Sequence, residues 1–70
     1  MDLICITDAV KLFGVSSKTL RFYESVGLLH PIRNDDNKYR YYDAAAIERI
    51  RQILILRKMQ IPVKRYRSYL

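Results

Sequence analysis

The chain of 70 residues holds one cysteine, one histidine, two glycines and two prolines, and only seven acidic residues. A lone Cys5 excludes an internal disulfide and leaves no pair for a zinc or redox motif, which fits a reducing cytosol. A lone His30 beside Pro31, with no other His or Cys at ligand spacing, reads as a structural or solvent-facing residue, not as a metal ligand. Few Gly and Pro beside a half-hydrophobic composition exclude a disordered chain. No segment approaches the length of a membrane span, and Met1-Asp2-Leu3 opens no signal peptide, so a cytoplasmic protein is expected. A Ser-His-Asp set, a phosphate-cradling Gly loop and a carboxylate pair in a plausible pocket are all missing. Neither an enzyme nor a cofactor is therefore expected.

The scarcity of acid makes the surplus of base conspicuous: thirteen Lys and Arg against seven Asp and Glu leave a net charge of +6. A chain this short forms one small domain with little room for a deep pocket, which favours a surface-binding function. Positive charge on such a domain suits a polyanionic partner, nucleic acid or an anionic membrane surface, or serves solubility alone. Composition does not choose among these.

Along the chain, Leu3-Ile4-Cys5-Ile6 is too short for a helix and reads as either an edge strand or a lead-in. Thr7 can cap a first helix, Asp8 suits its positive end, Ala9, Val10, Leu12 and Phe13 supply an apolar face, and Gly14 a stop. Ser16 caps a second helix from Ser17 to Val26, with Leu20 and either Phe22 or Tyr23 turned inward, ended by Gly27. Two short capped helices around a tight turn are a helix-turn-helix signature, although many helical hairpins share it. Leu28 to Arg33 is extended, Asn34 to Asn37 is a turn, and Lys38-Tyr39-Arg40-Tyr41-Tyr42 has strand chemistry. The three predict a basic two-stranded wing hairpin. Asp43 caps the longest helix, with an apolar stripe at Ile47, Ile50, Ile53, Leu54 and Leu56 before Met59. Pro62 breaks it and suits the first turn of a fourth helix, on which Val63, Tyr66 and Leu70 recur at helical spacing. That helix stops within about two turns, which reads as a cut through a longer protein.

These elements predict a mostly α, winged helix-turn-helix fold: helix-turn-helix over 6–26, wing over 29–42, and a second helix pair over 43–70. In such folds the first turn of the second helix enters a major groove, which makes Ser17, Lys18 and Thr19 the base-edge candidates. An ordinary solvated helix start is the bland alternative.

Ile6-Thr7 through Gly14-Val15-Ser16, the block Thr19-Leu20-Arg21-Phe22-Tyr23-Glu24 and Gly27-Leu28-Leu29 resemble the helix-turn-helix of MerR-type regulators almost position by position. Lys38 to Asp43 and Met59 to Val63 continue the resemblance over nearly the whole chain. It implies a homodimeric regulator that bends and untwists double-stranded promoter DNA, acting on RNA polymerase indirectly through the promoter. The dimerising coiled coil and effector region that such regulators carry are absent from these residues. The resemblance further implies that Arg21 and Tyr23 engage phosphate, Tyr23 alternatively serving as a core aromatic. In the wing, Arg33, Lys38 and Arg40 flank the DNA backbone while Tyr39 and Tyr41 pack on sugar or phosphate, or simply stabilise the hairpin through cross-strand packing; Arg40 is the strongest candidate. Tyr42 is assigned to burial against the long helix, and Arg57 to either phosphate or a solvated face. Lys38 stands where many members have Gly, and Lys64 and Arg65 where many have acids, so footprint or domain contacts differ. The rival readings are an excisionase-type architectural DNA-binding protein and a protein-interaction or anionic-surface module.

Overall fold

The structure, a computed structural model, describes residues 3–33, 36 and 39–70. In chain order it runs β1 (Ile4–Cys5), α1 (Ile6–Phe13), α2 (Ser17–Ser25), β2 (Ile32–Arg33), β3 (Arg40–Tyr42), α3 (Ala44–Lys58), a 3-10 turn (Val63–Arg65) and α4 (Tyr66–Tyr69). The fold is mostly helical with a small antiparallel sheet, as the patterning predicts. The sheet has three strands in the order β1-β3-β2, one more than the hairpin expected from sequence. Ile4 and Cys5 pair with Tyr42 and Tyr41, so the opening apolar stretch is an edge strand that covers the outer side of the wing.

That strand also displaces the expected start of α1. The chain passes directly from β1 into the helix at Ile6, leaving Thr7 inside the first turn and Cys5 at the cap position without a side-chain hydrogen bond. The other local signals behave as read. Gly14 closes α1 at φ 68°, and its N–H donates to the Val10 carbonyl. Ser16 Oγ accepts the Thr19 N–H at 3.1 Å, and Asp43 Oδ1 accepts that of Ala46 at 2.8 Å, so both caps satisfy donors that a helix start leaves unpaired. Gly27, at φ 80°, ends α2 with its own N–H bonded to Glu24 and that of Leu28 to Tyr23, a pair of contacts that requires the left-handed conformation.

The same closure ends α3, but there the left-handed position is Gln60, at φ 61°, with Gln60 N–H on Arg57 and Ile61 N–H on Leu56. A non-glycine residue costs about 1 kcal/mol there. Gln60→Gly is therefore expected to raise the melting temperature by about 4–8 °C, read by thermal denaturation. Pro62 then precedes the 3-10 turn, which hands over to α4 at Tyr66, so the fourth helix starts later than Pro62 suggests.

The core collects one face of every helix. Leu20, Leu29, Tyr42, Ile50, Ile53 and Tyr66 are its largest fully enclosed side chains, each worth roughly 1.5–3 kcal/mol of apolar burial. On α3 the fully inward residues are Ala46, Ile50, Ile53 and Leu56, whereas Ile47 and Leu54 of the predicted stripe are partly buried against the core, and Met59, just past the helix end, is exposed. Tyr66 stacks on Tyr23 at 6.2 Å between ring centroids, which docks α4 on α2. Arg67 Nη2 donates to the Val26 carbonyl at 2.9 Å, a second tie between α4 and the end of α2. Among the described residues no helix is long and apolar enough to cross a membrane.

Candidate nucleic-acid interface

The Ser16 cap orients the first turn of α2. Lys18 points into solvent, while Ser17 and Thr19 are half-buried. Thr19 Oγ1 lies 2.9 Å from Ser16 Oγ, so its hydroxyl takes part in the cap and its methyl is the group left to meet a partner. One turn on, Arg21 is exposed. Ser17, Arg21 and Tyr39 line one shallow groove with Thr7 and Lys11 of α1. Three residues predicted from separate stretches of sequence, the second helix and the wing, thus share one surface. Thr7 and Lys11 were not predicted. Their spacing of four places them on one helix face, but only the packing of α1 against α2 shows which face that is.

In the wing, Arg33 is exposed and stands directly opposite Arg40 in the β2–β3 register. Two like charges across a strand pair repel, and here a carboxylate relieves them. Arg40 Nε donates to Glu24 Oε1 at 2.8 Å, and the Tyr42 hydroxyl donates to Glu24 Oε2 at 2.8 Å. The Glu24 side chain is only 10% exposed and that of Arg40 25%. Arg40, the strongest wing candidate, is therefore a half-buried, partnered guanidinium and not a free surface charge. Glu24 belongs to the block quoted above, yet sequence reasoning gave it no role. The available signal was its position, since an acid in the last turn of a helix opposes the helix dipole and needs a reason to be there.

Tyr39 is exposed and Tyr41 half-buried, with ring centroids 6.4 Å apart. Tyr42 is fully buried, as assigned. Tyr23 takes the core alternative: it is 4% exposed and its ring is stacked on that of Tyr66. A rotation of about 100° per residue separates it from Phe22, which is the outward ring and meets Tyr23 edge-on. Arg57 is exposed near the end of α3, close enough to Tyr66 for its charge to act there, and lies outside the groove. Lys38 and the turn position Asn37 lie outside the described residues. His30 is exposed, and the described residues contain no cluster of three His, Cys, Asp or Glu suited to a metal.

The Tyr42 hydroxyl is pushed far above its ordinary value of 10.0, first by burial and then by its bond to Glu24, against the opposing charges of Arg40 and Arg21. Burial raises Tyr66 in the same direction. A folded-state value above the unfolded one leaves stability fully present below the unfolded value and removes it as pH rises beyond. The melting temperature is thus expected to hold between pH 7 and about 9.5 and to fall above about 10, with a shallower fall in Tyr42→Phe.

The arrangement has counterparts of known kind. The family model described as MerR HTH family regulatory protein matches residues 5–70. The chain is 40% identical over 63 residues to the transcriptional regulator BrlR of Pseudomonas aeruginosa, a match covering 89% of this chain and 23% of BrlR. Its fold matches the crystal structure of the HTH-type transcriptional regulator SkgA from Caulobacter crescentus with a TM-score of 0.81 and 35% identity, over 97% of this chain and 49% of that one. It shares the fold, at TM-score 0.84 and 22% identity, of HiNmlR, a MerR family regulator lacking the sensor domain, bound to promoter DNA, covering 97% of this chain and 52% of that one. The chain spans about a quarter of the length of BrlR and SkgA.

Proposed function

The chain belongs to the MerR family of helix-turn-helix regulatory proteins, a family of transcription regulators and not of enzymes, and from that premise we propose that it binds double-stranded promoter DNA sequence-specifically. The observation that carries the proposal is the shared groove, which sets Ser17 and Arg21 of α2 beside Tyr39 of the wing and Lys11 of α1. A polyanion laid along it meets the exposed Lys18 and Arg21 at the recognition helix and Arg33 at the wing. Lys18 and the Thr19 methyl reach base edges, with Ser17 beside them. Arg21, Arg33, Lys38 and Arg40 hold phosphate, while Tyr39 and Tyr41 pack on the sugar-phosphate backbone. Arg57, exposed and not among the residues lining that groove, plays at most an outlying phosphate role.

On this reading 6–26, 29–42 and 43–70 are the working parts of one DNA-binding domain. The protein acts in the cytoplasm at the nucleoid, as a homodimer that bends and untwists its promoter and so governs RNA polymerase without touching it. That HiNmlR, which shares the fold, is bound to promoter DNA supports the promoter-binding part of this reading.

Fluorescence anisotropy tests it, with a duplex selected from a randomised pool and a scrambled duplex of equal length, across salt concentrations. The selected duplex is expected to bind more tightly, with affinity falling as salt rises. Lys18→Ala is expected to reduce the preference between the two duplexes by about 5- to 100-fold while leaving weak binding to both. Equal, salt-insensitive binding to both duplexes contradicts the proposal.

A further inference from the structure

Glu24 sits in the last turn of α2, at the negative end of the helix dipole and 10% exposed, where a carboxylate is disfavoured twice. Two donors hold it there, and both come from β3. Arg40 and Tyr42 alternate along the strand and so project from one of its faces, each donating to a different carboxylate oxygen at 2.8 Å. Arg21, three residues before Glu24 on the same helix, is near enough for its charge to act on Tyr42. The second helix and the wing are therefore joined by one carboxylate held between a guanidinium and a phenol hydroxyl. The Glu24 bond uses Nε of Arg40, and the planar fork carries further N–H donors on its other edges, which point in directions different from that bond.

We propose that Glu24 is a positioning residue, which fixes Arg40 and the wing relative to α2 so that both meet the DNA backbone as one preformed surface; this rests on the DNA-binding reading above. It cancels the repulsion between Arg40 and Arg33, which face each other in register. It also removes the cost of ordering the Arg40 side chain at the moment of binding. The consequence has an unusual sign. Deleting a negative charge from a protein that binds a polyanion ordinarily tightens binding, whereas deleting this one loosens it, because Arg40 loses the partner that aims it.

The experiment compares the unaltered chain with Glu24→Gln, Arg40→Lys and Tyr42→Phe, reading affinity for the selected duplex against salt, with folding checked by circular dichroism. Glu24→Gln keeps the shape but presents an amide donor where a second acceptor is needed. Its affinity is expected to fall about tenfold, and the slope of log affinity against log salt to shrink by about one unit. Arg40→Lys retains the charge and is expected to lose as much, since an ammonium lacks the planar fork that serves carboxylate and phosphate in different directions. It carries the test if Glu24→Gln fails to fold. Tyr42→Phe leaves the Arg40–Glu24 bond intact and, corrected for its unfolded fraction, is expected to bind within about twofold of the unaltered chain. Equal or tighter binding by folded Glu24→Gln, or an unchanged slope in both Glu24→Gln and Arg40→Lys, overturns the positioning role. No binding by the unaltered chain overturns the DNA-binding reading itself and the inference with it.

Discussion

Tyr42→Ala is expected to leave the chain largely unfolded at 25 °C. The ring is fully buried at the centre of the three-stranded sheet, with Ile4 of β1 opposite it in register. Removing a buried aromatic side chain costs about 3–5 kcal/mol through lost transfer energy and the cavity left behind. The substitution also takes one of the two donors from the nearly buried Glu24 carboxylate, and an under-bonded buried charge adds to the cost. A domain of this size has a total stability of roughly 4–10 kcal/mol, so the loss consumes most or all of it. Tyr42→Phe separates the two contributions: it keeps the packing, gives up the hydroxyl bond, and is expected to lose about 1–2 kcal/mol. Urea denaturation followed by helical circular dichroism measures both. A Tyr42→Ala chain that melts within a few degrees of the unaltered one would show that the sheet does not anchor the core.

The second large effect concerns binding. Arg21→Glu is expected to weaken affinity for the selected duplex by at least about 100-fold at 0.1 M salt, with the loss shrinking as salt rises. The reversal removes a cation from the groove it shares with Ser17 and Tyr39 and places a carboxylate both against the DNA backbone and beside Glu24. Arg51→Glu makes the same change in net charge elsewhere. Arg51 lies on α3, 59% exposed and 3.3 Å from Glu48, and lines a different groove with Leu12 and Phe13. It is expected to lose no more than about threefold. Equal losses in the two variants would mean that overall charge, and not a placed surface, drives binding.

How far the sequence discloses this molecule depends on the range of the interaction concerned. The Ser16 and Asp43 caps and the glycine stops at 14 and 27 involve partners within five residues, and composition exposes them directly. Gln60 takes the same left-handed position as Gly27 but without the residue that announces it. β1 was ambiguous because its existence depends on Tyr41 and Tyr42, nearly forty residues away, and the expected Thr7 cap failed for the same reason. Periodicity left Phe22 and Tyr23 both eligible for the core; the docking of Tyr66 from the far end of the chain decides for Tyr23.

The candidate site was legible as a set of residue types and not as a geometry. The sequence supplied Ser17, Arg21 and Tyr39, and the packing of α1, α2 and the wing supplied the groove they share and added Lys11. Arg40 was singled out for its charge, whereas what distinguishes it in the fold is its bond to a carboxylate sixteen residues earlier. No local pattern encodes that pairing. It requires the wing to fold back on α2 first.

The central claim is that the first turn of α2 and the wing together form the DNA-facing surface. Backbone amide chemical-shift mapping of the isotopically labelled chain during titration with the selected duplex tests it most directly. The predicted result is that the largest perturbations fall on residues 17–21 and 39–41 and on Lys11, with the C-terminal half of α3 and α4 little changed. Perturbations concentrated instead around the exposed Ile55, Met59 and Tyr69, with the first turn of α2 unmoved, would contradict it.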